Sequence, residues 1–245
     1  MRAPKGRAVR SSDSCELNPF DRPALEVALH MKEELQGKVT ALSMGPQSCA
    51  FALYEAMAMG VDRGVLISDP ALSGSDTLAT STAIGAAIKK LSPFDLVLFG
   101  TRTADSDTGQ VGPETAVFLD LPLVTGARVI QKQAAGLSVE RSADGFLESY
   151  ELSLPAALTI HQAAAQSRDM GLLGIGEAYE QGEITTWTLA DIDLSPDQVG
   201  EKGSPTRLVS LTPAKKGREC AFLTGSAEDQ ADELTKRLSE SGLLT

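Results

Sequence analysis

Short apolar runs alternate with longer segments of helical period through the first 160 residues, which predicts strands joined by crossover helices. The runs "KVTALSM" (38–44), "GVLIS" (64–68) and "DLVLFG" (95–100) are rich in Val, Leu and Ile and read as buried parallel strands. Between them, "RPALEVALHMKEEL" places Leu25, Leu29 and Leu35 near one face. The stretch "SCAFALYEAMAMG" ends on a C-capping Gly60, and "SDTLATSTAIGAAIKKL" opens on the cap candidates Ser75 and Asp76. These predict three helices. After Pro122 the texture changes: "LSVERSADGFLESYELSLPAALTI" alternates in part about an "ADG" turn, the mark of an antiparallel hairpin. The doubly wound pattern ends near Ile160. Beyond it lie "TTWTLADIDL", the loop "GEKGSPTRL" and a final helix capped by Ser226, with Asp229 three residues on. The fold class expected is α/β: a doubly wound, mostly parallel sheet with crossover helices, an added antiparallel hairpin and a C-terminal arm. Divisions are expected at 1–17, 18–161 and 162–245.

Composition narrows the function classes. A chain of 245 residues, 42% hydrophobic, can bury a sizeable core. Its net charge of −11 argues against binding nucleic acid or an anionic membrane surface. No apolar run approaches eighteen residues, and "MRAPKGRAVRSSDSCELNPFD" lacks the apolar core of a signal peptide, so the expected location is cytoplasmic, with no membrane insertion. Cys15, Cys49 and Cys220 are odd in number, far apart in sequence and outside any CxxC spacing. They read as reduced thiols rather than a disulfide framework or zinc site. His161 has no acid or nucleophile at a recognisable spacing and reads as a hydrogen-bonded or packing histidine; His30 reads as surface. No catalytic constellation and no metal site emerge.

The segment "DSDTGQVGP" (105–113) is different. It follows the strand ending at Gly100 and precedes "ETAVFLDL", so it lies at the carboxyl end of a parallel strand, where open α/β sheets hold ligands. Gly109 and Gly112 allow close approach of backbone to phosphate, Ser106 and Thr108 can donate hydrogen bonds, and N–H groups near Glu114 and Thr115 form an anion site at a helix start. It is neither GxGxxG nor a P-loop. On this pattern alone a structural loop stands beside the nucleotide site.

Five motifs in order carry a resemblance: "NPFD" (18–21), "AMAMGVDRGVLISD" (56–69), "GSDTLATS" (74–81), "DSDTGQVGP" and "TWTLADIDLSPDQVGEKGSPT". From about Leu17 to its end the chain resembles the beta subunits of electron transfer flavoproteins. The resemblance implies a partner alpha subunit that carries the redox FAD and is embraced by the C-terminal arm. The beta subunit would hold either AMP or, in the branch that bifurcates electrons from NADH, a second FAD. It implies that Asn18, Phe20 and Asp21 sit near the nucleotide and Met44 lines its adenine. Asp105, Asp107, Thr108, Gly109, Gln110, Val111, Gly112 and Thr115 would cradle its phosphates, and Gly74, Ser75, Asp76 and Thr77 would face flavin and NADH. "DTGQVGP" looks like the "DTAQVGP" of the FAD-binding branch, which favours FAD over AMP. A dehydrogenase or quinone oxidoreductase would dock near Leu172 or Leu173. An adenine-nucleotide module of the same fold without redox work, and a stand-alone NADH-dependent enzyme, stay open as alternatives. Three departures stand out. Nothing before Leu17 resembles the family's opening strand "KIVVCVKQVPD", which implies a missing central strand. "AQSRDM" keeps only Arg168 of the family's "NEPRY". No lysine-rich docking stretch follows, where this chain reads "GIGEAYEQGEITTW".

Overall fold

The computed structural model describes residues 15–207, 209 and 220–244. The stretch before Cys15 and the "TPAKKGRE" lead to the last helix lie outside the described residues. The chain divides after Val209 into a large unit and a short C-terminal one.

In the large unit, α1 (Arg22–Leu35), β1 (Thr40–Met44), α2 (Ala50–Met59), β2 (Arg63–Ile67), α3 (Thr77–Leu91) and β3 (Leu96–Gly100) follow the sequence reading closely. The short helix α4 (Val111–Phe118) comes next, then β4 (Leu123–Gln133), β5 (Gly136–Ala143), β6 (Phe146–Leu152), β7 (Ala156–Ile160), α5 (Leu172–Gln181), β8 (Ile184–Trp187) and the one-turn α6 (Gly200–Gly203). α6 lies within the expected "GEKGSPTRL" loop. Local chemistry sets the helix limits. Pro23 stands in the first turn of α1, Asp76 caps α3 by accepting from Ala79 N–H at 2.9 Å, and Gly60 ends α2 at φ +122°. Leu35, expected on the buried face of α1, is exposed in its last turn, because that stripe runs through Ala24, Val27 and Leu29.

Two sheets form. One is all parallel, in the order β1-β2-β8; the other runs β3-β7-β4-β5-β6, parallel through β4 and antiparallel beyond. The expected hairpin is thus a three-stranded meander, turned at Asp144 (φ +51°) and Gly145 (φ +82°) in the "ADG". The strands reach the core unequally. β2 buries Gly64 to Ile67 and β7 all five of its residues, whereas β1 and β3 stay half-buried throughout. Among the described residues, β1 pairs with β2 alone and β3 with β7 alone, so each sheet presents a parallel edge strand. Helix α1 links the two layers: Ala24 and Val27 pack on Leu158 and Ile160, while Leu29 packs on Ala56 and Met59 of α2.

The division expected at 161/162 does not coincide with a break in packing. β8 extends the first sheet beside β2, and Leu189, Ile192 and Val199 share a core with Ile67 and Ala83. The short C-terminal unit contains α7 (Ala227–Glu240), started by a full capping box in which Ser226 and Asp229 bond reciprocally. Among the described residues, no helix is long and apolar enough to cross a membrane.

Candidate nucleotide site at the end of strand β3

Gly100 is the last residue of β3, and its N–H donates to Asp21 Oδ1 at 2.8 Å. A side chain at Gly100 would collide with that carboxylate and with the Phe20 carbonyl, so only glycine lets the "NPFD" segment lie against the strand end. Asn18 completes the joint. Its Nδ2 donates to Asp21 Oδ2 at 3.0 Å and to the Arg102 carbonyl at 2.9 Å, and its Oδ1 accepts from Ala104 N–H at 3.2 Å. The Arg102 guanidinium lies 4.5 Å from the centre of the Phe20 ring and pairs with Asp107 at 3.1 Å. Burial pushes the Asp21 carboxyl above its usual value, and the bonds from Asn18 and Gly100 offset that only in part.

The loop that follows is folded on itself. Thr103 N–H donates to the Thr108 carbonyl at 2.9 Å, Asp107 takes a left-handed φ of +55°, and the Thr103 and Ser106 hydroxyls donate to Asp105 at 2.6 and 3.1 Å. At Gly109 a Cβ would stand 2.6 Å from the Thr101 carbonyl oxygen, so the loop is drawn tight at this glycine.

Helix α4 begins at Val111 with no side-chain cap from Gln110. Here the structure corrects the sequence reading. Glu114 N–H is spent inside the helix on the Gln110 carbonyl at 2.9 Å, and Pro113 has no N–H, so the opening donors belong to Val111 and Gly112. Gly112 is itself buried. A Cβ there would meet Thr159 Cγ2 at 3.0 Å and Phe99 Cγ at 3.1 Å, which makes it the residue that seats α4 on β3 and β7. Thr115 is fully buried one turn further in, and its Oγ1 has no hydrogen-bond partner among the described residues. Both were expected at the phosphates; the Gly112 Cα and the Thr115 side chain serve the packing beneath, and the Gly112 N–H stays among the opening donors. The Glu114 carboxylate accepts from Thr77 Oγ1 at 3.2 Å and Ser81 Oγ at 3.1 Å, which ties α3 to α4.

The remaining candidates gather elsewhere in the large unit. Ser75 Oγ accepts from Gly200 N–H at 2.9 Å, Asp76 N–H donates to Ser204 Oγ at 2.8 Å, and Asp76 Oδ2 accepts from Thr206 N–H at 2.9 Å. Gly74, at φ +82°, leaves room for Glu201, whose Cβ would be 3.2 Å from a side chain there. The start of α3 therefore grips the "GEKGSPT" segment. Met44 ends β1 half-buried against the Ile67 and Leu72 core. Asn18, Phe20, Asp21, Asp105, Asp107, Thr108, Gly109, Gln110 and Val111 thus line one strand end, and Thr77 reaches it through Glu114.

Sequence reasoning missed Arg102 and the part played by the Glu114 carboxylate, both beside the motif, and also the role of Arg168. The Arg168 guanidinium reaches Glu26 through Nε at 3.0 Å and Nη2 at 2.8 Å, and Glu33 through Nη1 at 2.8 Å. Its N–H adds a bond to Glu26 at 2.9 Å. Glu26 is 3% exposed. Burial alone would raise its carboxyl; the Arg168 bonds outweigh this and hold it below its ordinary range. A surviving arginine of a family motif and a Glu inside an apolar helix stripe were the available signals. Leu172 and Leu173, by contrast, open α5 at 89% and 84% exposure.

Residues 7–192 match the model of the electron transfer flavoprotein domain. The chain is 37% identical over 231 residues to the electron transfer flavoprotein subunit beta of Thermoanaerobacterium thermosaccharolyticum, covering 94% of this chain and 88% of that one. It is 39% identical over 243 residues to the caffeyl-CoA reductase-Etf complex subunit CarD of Acetobacterium woodii, covering 98% and 92%. To protein FixA of Azotobacter vinelandii it is 40% identical over 235 residues, covering 93% and 82%. With most of its length matched and relatives aligned nearly end to end, this chain belongs to the electron transfer flavoprotein family.

Proposed function

We propose that this chain is the beta subunit of a heterodimeric electron transfer flavoprotein. In this reading an adenine nucleotide, FAD in preference to AMP, is held where "NPFD" meets the loop from Gly100 to Gly112, and NADH is the hydride donor. The observation that carries the reading is the joint itself: Asn18 and Asp21 of "NPFD" bond Arg102 and Gly100, 84 and 79 residues on, in the strand end and loop that lead into "DSDTGQVGP". The residues present fit a phosphate-bearing ligand. The acids of the loop are met from within, Asp107 by Arg102 and Asp105 by two hydroxyls, so they oppose an anion less than their charges suggest. The uncapped start of α4 offers the Val111 and Gly112 N–H groups with the positive end of the helix dipole behind them. Val111 and Pro113 supply an apolar ledge, half-buried and rigid at the proline. When bound, a flavin would supply the two-electron acceptor and one-electron carrier that no side chain provides. The protein's part is to hold it, orient it through Thr108 and the loop backbone, and keep Asp21 and Asn18 locked behind it.

The alpha subunit would be the partner of the C-terminal arm: Ala227, Ala231, Leu234 and Leu238 fall on one face of α7 at spacings of three and four. Leu172 and Leu173 would meet a dehydrogenase or quinone oxidoreductase, since two fully projecting leucines side by side mark a contact surface. Co-expression with a flavoprotein alpha subunit tests the proposal. A one-to-one complex with flavin absorbance in the visible supports it. A colourless chain carrying nucleotide and ignoring the alpha subunit would replace it by the nucleotide module without redox work.

A further inference from the structure

Cys15 and Cys49 are 34 positions apart in sequence, yet their sulfurs lie 3.3 Å from each other. The contact is enclosed rather than casual. Cys15 Sγ also lies 3.4 Å from Ser48 Oγ, and both cysteines are half-buried. Opposite, a Cβ at Gly45 would stand 2.5 Å from Cys49 Sγ, so the recess that receives this sulfur exists only because residue 45 is glycine. Closing the pair to the ~2.05 Å of a disulfide requires the sulfurs to approach by about 1.2 Å.

We propose that Cys15 and Cys49 form an oxidisable dithiol whose disulfide clamps the start of the "NPFD" segment to the β1–α2 connection. The chemical class of oxidant is a peroxide. One thiolate attacks a peroxide oxygen, the O–O bond breaks, and a sulfenic acid and one water result. The second sulfur then displaces the sulfenic oxygen as another water and the S–S bond forms. Two thiols lose two protons and two electrons in all, and the peroxide becomes two waters. Cys220, the third cysteine, is exposed and belongs to the separate C-terminal unit, so it is the internal control.

The bridge has a structural consequence that rests on the nucleotide reading above. Cys15 precedes Asn18 by three residues, and Asn18 holds both Asp21 and the Arg102 loop. Cys49 follows Met44 across Gly45. An oxidised pair would therefore fix the β3 wall of the candidate site to the β1 side, and slow the exchange of a nucleotide held there.

The full chain, with any co-purifying subunit, is treated with hydrogen peroxide, quenched, unfolded and alkylated. Alkylatable thiols are expected to fall from three to one, with a Cys15–Cys49 cross-linked peptide two hydrogens lighter than the sum of its parts and Cys220 still labelled. Cys15→Ser and Cys49→Ser should each abolish the cross-link while leaving the melting temperature of the reduced protein unchanged. Over-oxidation of Cys15 or Cys49 without a cross-link, or peroxide consumption at Cys220 alone, would overturn the dithiol. Formation of the cross-link with unaltered nucleotide exchange would leave the dithiol standing and remove only its link to the site.

Discussion

Replacing Arg168 with Met tests the reasoning behind the Glu26 joint in one step. The variant keeps the length and apolar stem of the side chain and removes the guanidinium, which bonds Glu26 through Nε and Nη2 at 3.0 and 2.8 Å. Glu26, 3% exposed, is left with the residue 168 N–H at 2.9 Å and His30 Nε2 at 2.9 Å. Breaking a fully buried pair by removing one member costs about 3–5 kcal/mol. The Arg168 side chain is 32% exposed, so solvent screens part of this and the expectation is about 2–3 kcal/mol. For a unit of this size that is a fall of roughly 5–10 °C in melting temperature. The pH dependence has a definite sign. Because the Glu26 carboxyl is held below its ordinary value near 4.5, the pair's contribution is fully present above that value and is lost as pH falls through the lowered one. The gap between wild type and Arg168→Met should therefore be widest near neutral pH and narrow in acid. Urea unfolding at several pH values reads both. Adding Glu26→Gln to the variant should recover part of the loss, since the stranded charge goes with it. A single variant within about 0.5 kcal/mol of wild type at pH 7, or a gap that widens in acid, would refute the assignment.

Three further outcomes follow from the site. Gly100→Ala drives a Cβ into the Asp21 carboxylate and the Phe20 carbonyl, so it should cost about 1–3 kcal/mol by overpacking and lower nucleotide occupancy, read by melting and by released nucleotide; a stable, fully loaded variant would show that the "NPFD" segment yields. Asp21, raised by burial, titrates with the opposite sign to Glu26: its folded form holds a proton at higher pH, so stability is lost as pH rises from its ordinary 3.8 through the raised value. Against Asp21→Asn, wild type should lose ground across that window in denaturant titrations, and a flat difference would count against the burial argument. Leu172→Glu, at 89% exposure, should leave stability within about 0.5 kcal/mol while slowing electron exchange with the docked dehydrogenase in stopped-flow absorbance, and an unchanged rate would move the docking surface elsewhere.

Local signals were legible where they are local. The limits of α1, the Gly60 and Asp76 caps, the Ser226–Asp229 box and the turn at Asp144–Gly145 follow from period and turn chemistry within a few residues, and the structure agrees. What the sequence hid depends on distance. Gly112 read only as a phosphate glycine because spacing cannot show that its Cα also packs against a strand; Phe99 and Thr159 decide that. β8 looked like part of an arm because four residues of "ITTW" carry little apolar weight until β2 pairs with them. Cys15 and Cys49 looked unrelated because their nearness is tertiary. The resemblance named the residues of "NPFD" and "DSDTGQVGP", but only the fold ties the first to the strand that leads into the second, through the Asp21 carboxylate on the Gly100 N–H.

The central claim, a nucleotide held between "NPFD" and the β3–α4 loop, is tested most directly by denaturing the purified alpha-beta complex and identifying and counting what it releases. The account predicts two FAD and no AMP per heterodimer, with the second FAD diminished in Gly100→Ala. One FAD with one AMP would keep the site and contradict its occupant; one FAD and no second nucleotide would contradict the site itself.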